Sequence, residues 1–348
     1  MRKNILLGSG VLVLTLLIAG VWLFFKNNSV SDIGTPTPLN QQGVIETPPF
    51  TQIADQTVSA FFVTKNENVV YIDTSGVIYR NGTAISTAPV PNISSVAFSS
   101  DGHRILINQR DLIETFVIFN IDSTRWEWTL PQETRSASWS PISSDQLAYI
   151  TDAGIFQLDL LSGKNTLLTK AKQYGVNLHW VTSDTILLAE QPLSQTKTSV
   201  WAYSLSDNSF SKLFEGLDIL IRPIDAFSFI KQSEGDLGVF DSSGIEILKL
   251  PFGTLPSKCD VANNHVSFYC GIPNVLLEKQ QLKAYFKGER FTNDVLQTQR
   301  LLPDSGDIQN TRIPLGDVDI NALQAFNNTI YFINRLDNKL YALPLSRN

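Results

Sequence analysis

The residues best equipped for chemistry crowd into one stretch. Lys258 to Gly271 reads "KCDVANNHVSFYCG" and holds both cysteines of the chain and one of its three histidines. Four uses are open to such a set: a metal site, a redox pair, a nucleophile with its base, or a covalent clasp on a hairpin. Structural zinc takes about four ligands, commonly with C-x2–4-C spacing. Here Cys259 and Cys270 have only His265 near them, and no second pair follows. A dithiol redox motif would be C-x-x-C, which is absent. Strands over 258–262 and 265–270, turning at Asn263-Asn264, would bring the cysteines together across one hairpin. A disulfide is therefore expected, with buried free thiols as the alternative. Closing a loop of about a dozen residues would add roughly 3 kcal/mol on the chain-entropy account.

The other reactive types are dispersed. His103 sits just after a turn, and His179 adjoins Trp180, where packing or hydrogen bonding is its ordinary role. A Ser-His-acid triad must converge, and no G-x-S-x-G nucleophile elbow occurs. Asp101, Asp145, Asp152, Asp184, Asp241 and Asp260 lie mostly in Ser-, Asn- and Gly-rich turns. There an aspartate supports the turn by bonding its own backbone. Glycoside hydrolysis needs a convergent carboxylate pair, and no D-x-D-x-D-G calcium loop is present. No catalytic residue, metal or cofactor is assigned on these grounds.

The elements that must position these residues begin with an apolar run. "ILLGSGVLVLTLLIAGVWLFF" fills 5–25 without a charge. As a helix it would span about 31 Å, enough for a hydrocarbon core of about 30 Å. It ends in bulky "VWLFFK" with no small-residue cleavage pattern, so an uncleaved signal anchor is expected. Arg2 and Lys3 lie in the tail, 1–4, and only Lys26 flanks the other end. That bias places the N-terminus in the cytoplasm and the body outside the cell membrane. Residues 26–49, rich in Pro, Thr, Ser, Asn and Gln, read as a tether. The formal net charge is -6, and the first 26 residues contribute three cations and no acid, leaving the remainder near -9. Such a body is unsuited to nucleic acid, which needs a basic face.

From Phe50 to Asn348 the chain turns into short alternating runs such as "VVYID", "RILINQ" and "TFVIFNID", broken by turn residues. The runs repeat. Phe98, Trp139 and Trp180 are each 41 residues apart, each followed by a polar turn and a β-like run. Another 41 reaches Ile221 and another 40 reaches Val261; Phe62 precedes Phe98 by 36, and Ala325 follows Val261 after 64. A period of 40–45 residues with four short strands per unit predicts a β-propeller. Seven blades fit the length of 50–348, with six or eight as alternatives. The closing "NKLYALPL" is expected to share a blade with the first strand of the body.

"FSSDGHRILI" at Phe98 to Ile107 resembles the WD40-like, TolB-type propeller repeat, written around an S-P-D-G-K turn. "KCDVANNHVSFYCGIP" followed by "AYFKGERFTNDVLQ" is similar to a pattern of membrane-anchored bacterial propellers, in which a K-C-V-W-S…L-Y-C-A-V-P hairpin precedes a W-Y-x-G…F-S-D-D segment. Cys259, Cys270 and Pro273 match, and Tyr285, Gly288, Phe291 and Asp294 match approximately. Val261 departs from the tryptophan of that pattern. The resemblance implies the fold and the anchor, and it carries no settled activity.

The insertion 273–293 breaks the period by about 23 residues. It mixes Leu276, Leu277, Tyr285, Phe286 and Phe291 with Lys279, Lys283, Lys287 and Arg290, and "PNVLLEKQQLKAY" is its helical candidate. Long loops on rigid scaffolds often carry recognition, so Tyr285, Phe286, Lys287, Arg290 and Phe291 are the expected partner contacts; a cover for a blade edge or the channel is the alternative. The expected whole is an all-β, seven-bladed propeller behind a single transmembrane helix. It would bind an envelope protein or glycan without catalysis. A hydrolytic propeller using turn carboxylates, or a small ligand in the central channel, are the alternatives.

Overall fold

The computed structural model describes residues 50–171, 175–191, 197–262, 267–277, 279–301 and 308–345. The expected tail, anchor and tether at 1–49 lie outside them, as does His265. No helix among the described residues is long and apolar enough to cross a membrane.

Seven four-stranded antiparallel sheets form the body. Blades 1 to 6 each run outward in chain order; blade 7 combines Ile320–Phe326, Thr329–Asn334 and Lys339–Pro344 with Thr51–Gln52 from the start of the domain. Thr51 pairs with Ala342 and Gln52 with Tyr341, so the two ends of the domain close the ring as expected. Closure leaves no long free edge where first and last blades meet.

Alternation along the strands explains the ring. In the second strand of blade 3, Leu147 and Tyr149 pack with Leu106 and Ile118 of blade 2. The intervening Ala148 and Ile150 pack with Leu178 and Ile186 of blade 4. One strand thus serves two interfaces through its period of two. Seven apolar clusters result, one per blade-to-blade interface. Local turn chemistry agrees: Asn81 (φ 49) and Gly82 (φ 80) join Arg80 to its partner Thr83, the two-residue turn that requires positive φ at both positions.

All the residues marked by the 41-residue period fall on the innermost strands. Phe62 is in Val58–Val63, Phe98 in Ile93–Phe98, Trp139 in Ser136–Trp139 and Trp180 in Val176–Trp180. Ile221 is in Leu220–Pro223, Val261 in Cys259–Val261 and Ala325 in Ile320–Phe326. Phe62 and Phe98 stack at 5.5 Å across the first interface, and the Trp139 indole donates to the Ala97 carbonyl at 3.0 Å. Trp139, Trp180 and Ala325 are buried, while Phe62, Phe98, Ile221 and Val261 are half-buried. Neighbouring inner strands are also bonded through side chains. Leu178 N–H donates to Ser136 Oγ (2.9 Å) and Trp180 N–H to Ser138 Oγ (3.0 Å). Gln324 accepts from Val63 N–H at 2.8 Å and donates to its carbonyl at 3.2 Å, joining blade 7 to blade 1.

Candidate functional site

The cysteine hairpin forms the two inner strands of blade 6, Cys259–Val261 and Ser267–Pro273, with Cys259 directly opposite Cys270. The cysteines form a disulfide, fully buried in the core between blades 5 and 6. The expected clasp is present, and the chemistry beside it belongs to Lys258.

Lys258 ends a short 3-10 turn, Pro256–Lys258, immediately before the inner strand. Its side chain is 0% exposed, as are those of Asp294 and Asp319. Lys258 Nζ donates to Asp294 Oδ2 (2.6 Å), Asp319 Oδ1 (2.7 Å) and Thr292 Oγ1 (2.6 Å). An ammonium has three protons, and all three are committed. Burial opposes this charge, but Asp294, Tyr285 and Asp319 outweigh it and raise the Lys258 pKa. Burial also raises Asp294, against the pull of Lys258. Asp294 Oδ2 further accepts from Ile320 N–H at 2.8 Å, and Asp319 Oδ2 from Thr292 N–H at 3.1 Å. The Tyr285 hydroxyl donates to Asp319 Oδ1 at 3.0 Å. The Arg335 guanidinium lies 3.9 Å from the centre of the Tyr285 ring and donates to the Tyr285 carbonyl at 2.7 Å.

These groups come from three kinds of segment at one face of the ring. Lys258 and Asp319 lead into the inner strands of blades 6 and 7, Thr292 and Asp294 end the insertion, and Arg335 lies in the matching turn of blade 7. The cluster therefore ties the insertion to two blades. Arg222 reinforces the same corner by donating to the Pro256 and Ser257 carbonyls (3.3 and 3.2 Å), to the Cys259 carbonyl, and to the Leu323 carbonyl of blade 7 (2.9 Å). No part of the Lys258, Asp294 and Asp319 side chains reaches solvent, so the cluster is a clamp and offers no surface to a substrate.

Within the insertion the expected helix is present as Lys279–Phe286. Tyr285, expected as a partner contact, is only 3% exposed. The correction has a physical cause: Asp319 and Arg335 hold its two ends, and its ring fills the clamp. Phe286 (56%) and Phe291 (46%) are exposed, as are Lys287 and Arg290, and Val275 (75%) and Leu276 (61%) extend the crest. Lys287 lies 3.8 Å from Glu289.

The remaining reactive residues are dispersed, except that Asp101 and His103 share a groove with Asp122. Asp101 accepts from Ser99 and from His103 N–H, Asp145 pairs with Arg104, and Asp152 with Arg135. Asp184 accepts from Ser204 and Ser206, and Asp241 from Ser243 and Ile245. Asp260 lies on the inner wall, accepts from Ala325 N–H at 2.8 Å and faces Arg222 at 3.7 Å. His103 is exposed, with Nδ1 2.5 Å from Asp122; both line a polar groove of about 310 Å³ between blades 1 and 2. His179 is half-buried in the innermost strand of blade 4, and burial lowers its pKa to about 4. No group of three or more metal-ligating side chains occurs among the described residues.

The ring and its sealed clamp define the chain as a seven-bladed β-propeller. No family model matches the sequence, and no curated protein does. Among solved structures, U3-55K shares 14% identity over 85% of this chain and 98% of its own, with a TM-score of 0.57. The tricorn protease shares 11% identity over 86% of this chain and 34% of its own, at 0.54. A catalytically inactive virginiamycin B lyase from Staphylococcus aureus, with quinupristin, shares 12% identity over 86% and 99%, at 0.53. At such identities the likeness is one of fold.

Proposed function

We propose that the chain is a single-pass membrane protein whose extracytoplasmic propeller binds a protein or glycan partner without catalysis. One observation carries the reading. The richest cluster of reactive groups, Lys258 with Asp294 and Asp319, is sealed from solvent and spent on holding up an exposed apolar and basic crest. A site built for chemistry keeps its reacting groups within reach of substrate; a site built for contact keeps its support rigid and its surface open. The fold itself does not decide between the two, since the similar structures include a lyase and a protease. The turn carboxylates favour binding as well, because each is engaged on its own blade or a neighbour. The test is a pair of measurements on the full chain in its native membrane. Crosslinking should recover one dominant protein or glycan, and screens with glycoside, ester and peptide substrates should show no turnover. Turnover that disappears on substituting a turn aspartate would overturn the proposal in favour of a hydrolytic propeller.

A further inference from the structure

The clamp holds a lysine amine against a carboxyl group where water does not enter. Lys258 Nζ stands 2.6 Å from Asp294 Oδ2 and 2.7 Å from Asp319 Oδ1, and all three side chains are 0% exposed. The Asp294 carboxyl carbon is one C–O bond further, so within about 4 Å of the nitrogen. The two oxygens of Asp294 differ. Oδ2 accepts from Lys258 and from Ile320 N–H at 2.8 Å, whereas Oδ1 is buried with no hydrogen-bond partner among the described residues. Asp319 is held from several sides: the Thr292 and Tyr285 hydroxyls donate to its Oδ1 (2.8 and 3.0 Å), and Thr292 N–H donates to its Oδ2 at 3.1 Å. Arg335 is engaged on the ring and carbonyl of Tyr285. Two carboxylates therefore share one ammonium, and a buried polar atom without a partner is costly.

We infer that Lys258 and Asp294 condense in the folded protein into an intramolecular amide, with Asp319 as the catalytic proton carrier. The reaction needs no outside substrate, so the burial that bars other chemistry favours this one. Reacting groups fixed side by side act at effective concentrations of about 10⁵ M or more. Burial raises the Asp294 pKa, which supplies the neutral carboxyl that an amine can attack. Asp319 takes a proton from the ammonium, and the free amine attacks Cγ of protonated Asp294. Ile320 N–H, already on Oδ2, steadies the oxygen that becomes negative. Oδ1 then leaves as water, with its own proton and one relayed from the nitrogen through Asp319. One N–C bond forms and one C–O bond breaks, no oxidant or reductant is involved, and Asp319 ends protonated. The amide keeps the oxygen on Ile320 N–H and loses the one without a partner; exclusion of water protects it from hydrolysis. Burial opposes the Lys258 charge, but Asp294, Tyr285 and Asp319 raise its pKa. The free amine is thus the minor form and condensation is slow, so newly folded protein holds the ion pair. The product closes a covalent ring from 258 to 294 that encloses the disulfide and the insertion.

The experiment reads the intact mass of the full chain, freshly purified and after incubation below its melting temperature. The expected result is a species lighter by one water, beyond the two hydrogens of the disulfide, that grows with time to most of the protein. After reduction and trypsin digestion, fragmentation should find the segment holding Lys258 joined to the segment holding Asp294, with no cleavage after Lys258. Lys258→Arg keeps a cation at the clamp but has no amine to condense, and should lose no water. Asp319→Asn, checked for folding by circular dichroism, should slow the loss about 100-fold or more. Neither variant needs to fold for the wild-type mass to decide. A wild-type chain that stays folded and loses no water would overturn the inference. So would a loss confined to one linear peptide, or one that persists in Lys258→Arg. Condensation of folded Asp319→Asn at the wild-type rate would overturn the role given to Asp319.

Discussion

Replacing Lys258 by methionine keeps most of the side-chain volume and removes the charge at the centre of the clamp. Three short bonds at 2.6 to 2.7 Å are lost, and Asp294 and Asp319 are left buried without their ammonium. Removing one partner of a buried ion pair costs about 3–5 kcal/mol, because the remaining charge has neither water nor a counter-ion. A domain has only about 5–15 kcal/mol in total. For a chain of this size the loss corresponds to a fall in melting temperature of about 6–10 °C, at about 2 °C per kcal/mol. Adding Asp294→Asn should recover part of it by removing the stranded charge. The assay is thermal and urea unfolding of the single and double variants, with hydrogen exchange of 279–293 in the folded state. Lys258→Met should accelerate exchange across the insertion before the rest of the ring. A loss below about 1 kcal/mol, or unchanged exchange in the insertion, would refute the clamp.

Reducing the disulfide, or the pair Cys259→Ser with Cys270→Ser, should cost about 3 kcal/mol for the separation of 11 residues, read as a lower urea midpoint; because both sulfurs are bonded and buried, thiol reagents should label them only after the protein is unfolded and reduced. His179 has a depressed pKa of about 4. Its contribution is therefore whole above the unfolded value near 6.5 and lost as pH falls from there to about 4, up to about 3 kcal/mol. His179→Gln should flatten the stability profile across that window. Lys258 has the opposite sign: its pKa is raised, so its contribution is whole below the ordinary lysine value of 10.5 and lost as pH rises through the raised one, giving alkaline unfolding that Lys258→Met abolishes. Truncation before Lys339 should leave no folded ring by circular dichroism, since it removes Leu340 and Leu343 from two cores and the partner of Thr51–Gln52.

The ring was legible in the sequence because every blade repeats the same physical problem. Each innermost strand needs residues that fill the wedge toward its neighbours, and Phe98, Trp139 and Trp180 mark that position at a fixed interval. Ile221 keeps the position without an aromatic ring, so the period located it where composition did not. The cysteine pair was legible for a local reason, two strands joined by one short turn. The clamp was not. Lys258, Asp294 and Asp319 are separated by long stretches of chain and meet only because two adjacent blades bring their turns to one face. Lys258 and Asp294 lay inside the segment that resembles the membrane-anchored propellers, whereas Asp319 and Arg335 had no local signal. Tyr285 was placed on the surface for the same reason: an eight-residue helix does not reveal that two residues from blade 7 cover one of its side chains. That burial also bears on how the insertion is tested. Replacing the whole loop would remove Tyr285 and Thr292 from the clamp and lower stability, so substitutions confined to Phe286, Lys287 and Arg290 are the appropriate probes.

The claim that the ring works through contact at its crest is tested most directly by hydrogen exchange of the full chain in the membrane to which the proposed anchorage assigns it and after solubilisation in detergent. Residues 283–291 should be protected in the membrane and lose that protection on solubilisation, while the strands of all seven blades keep theirs. Equal exchange of 283–291 in the two states would contradict the account.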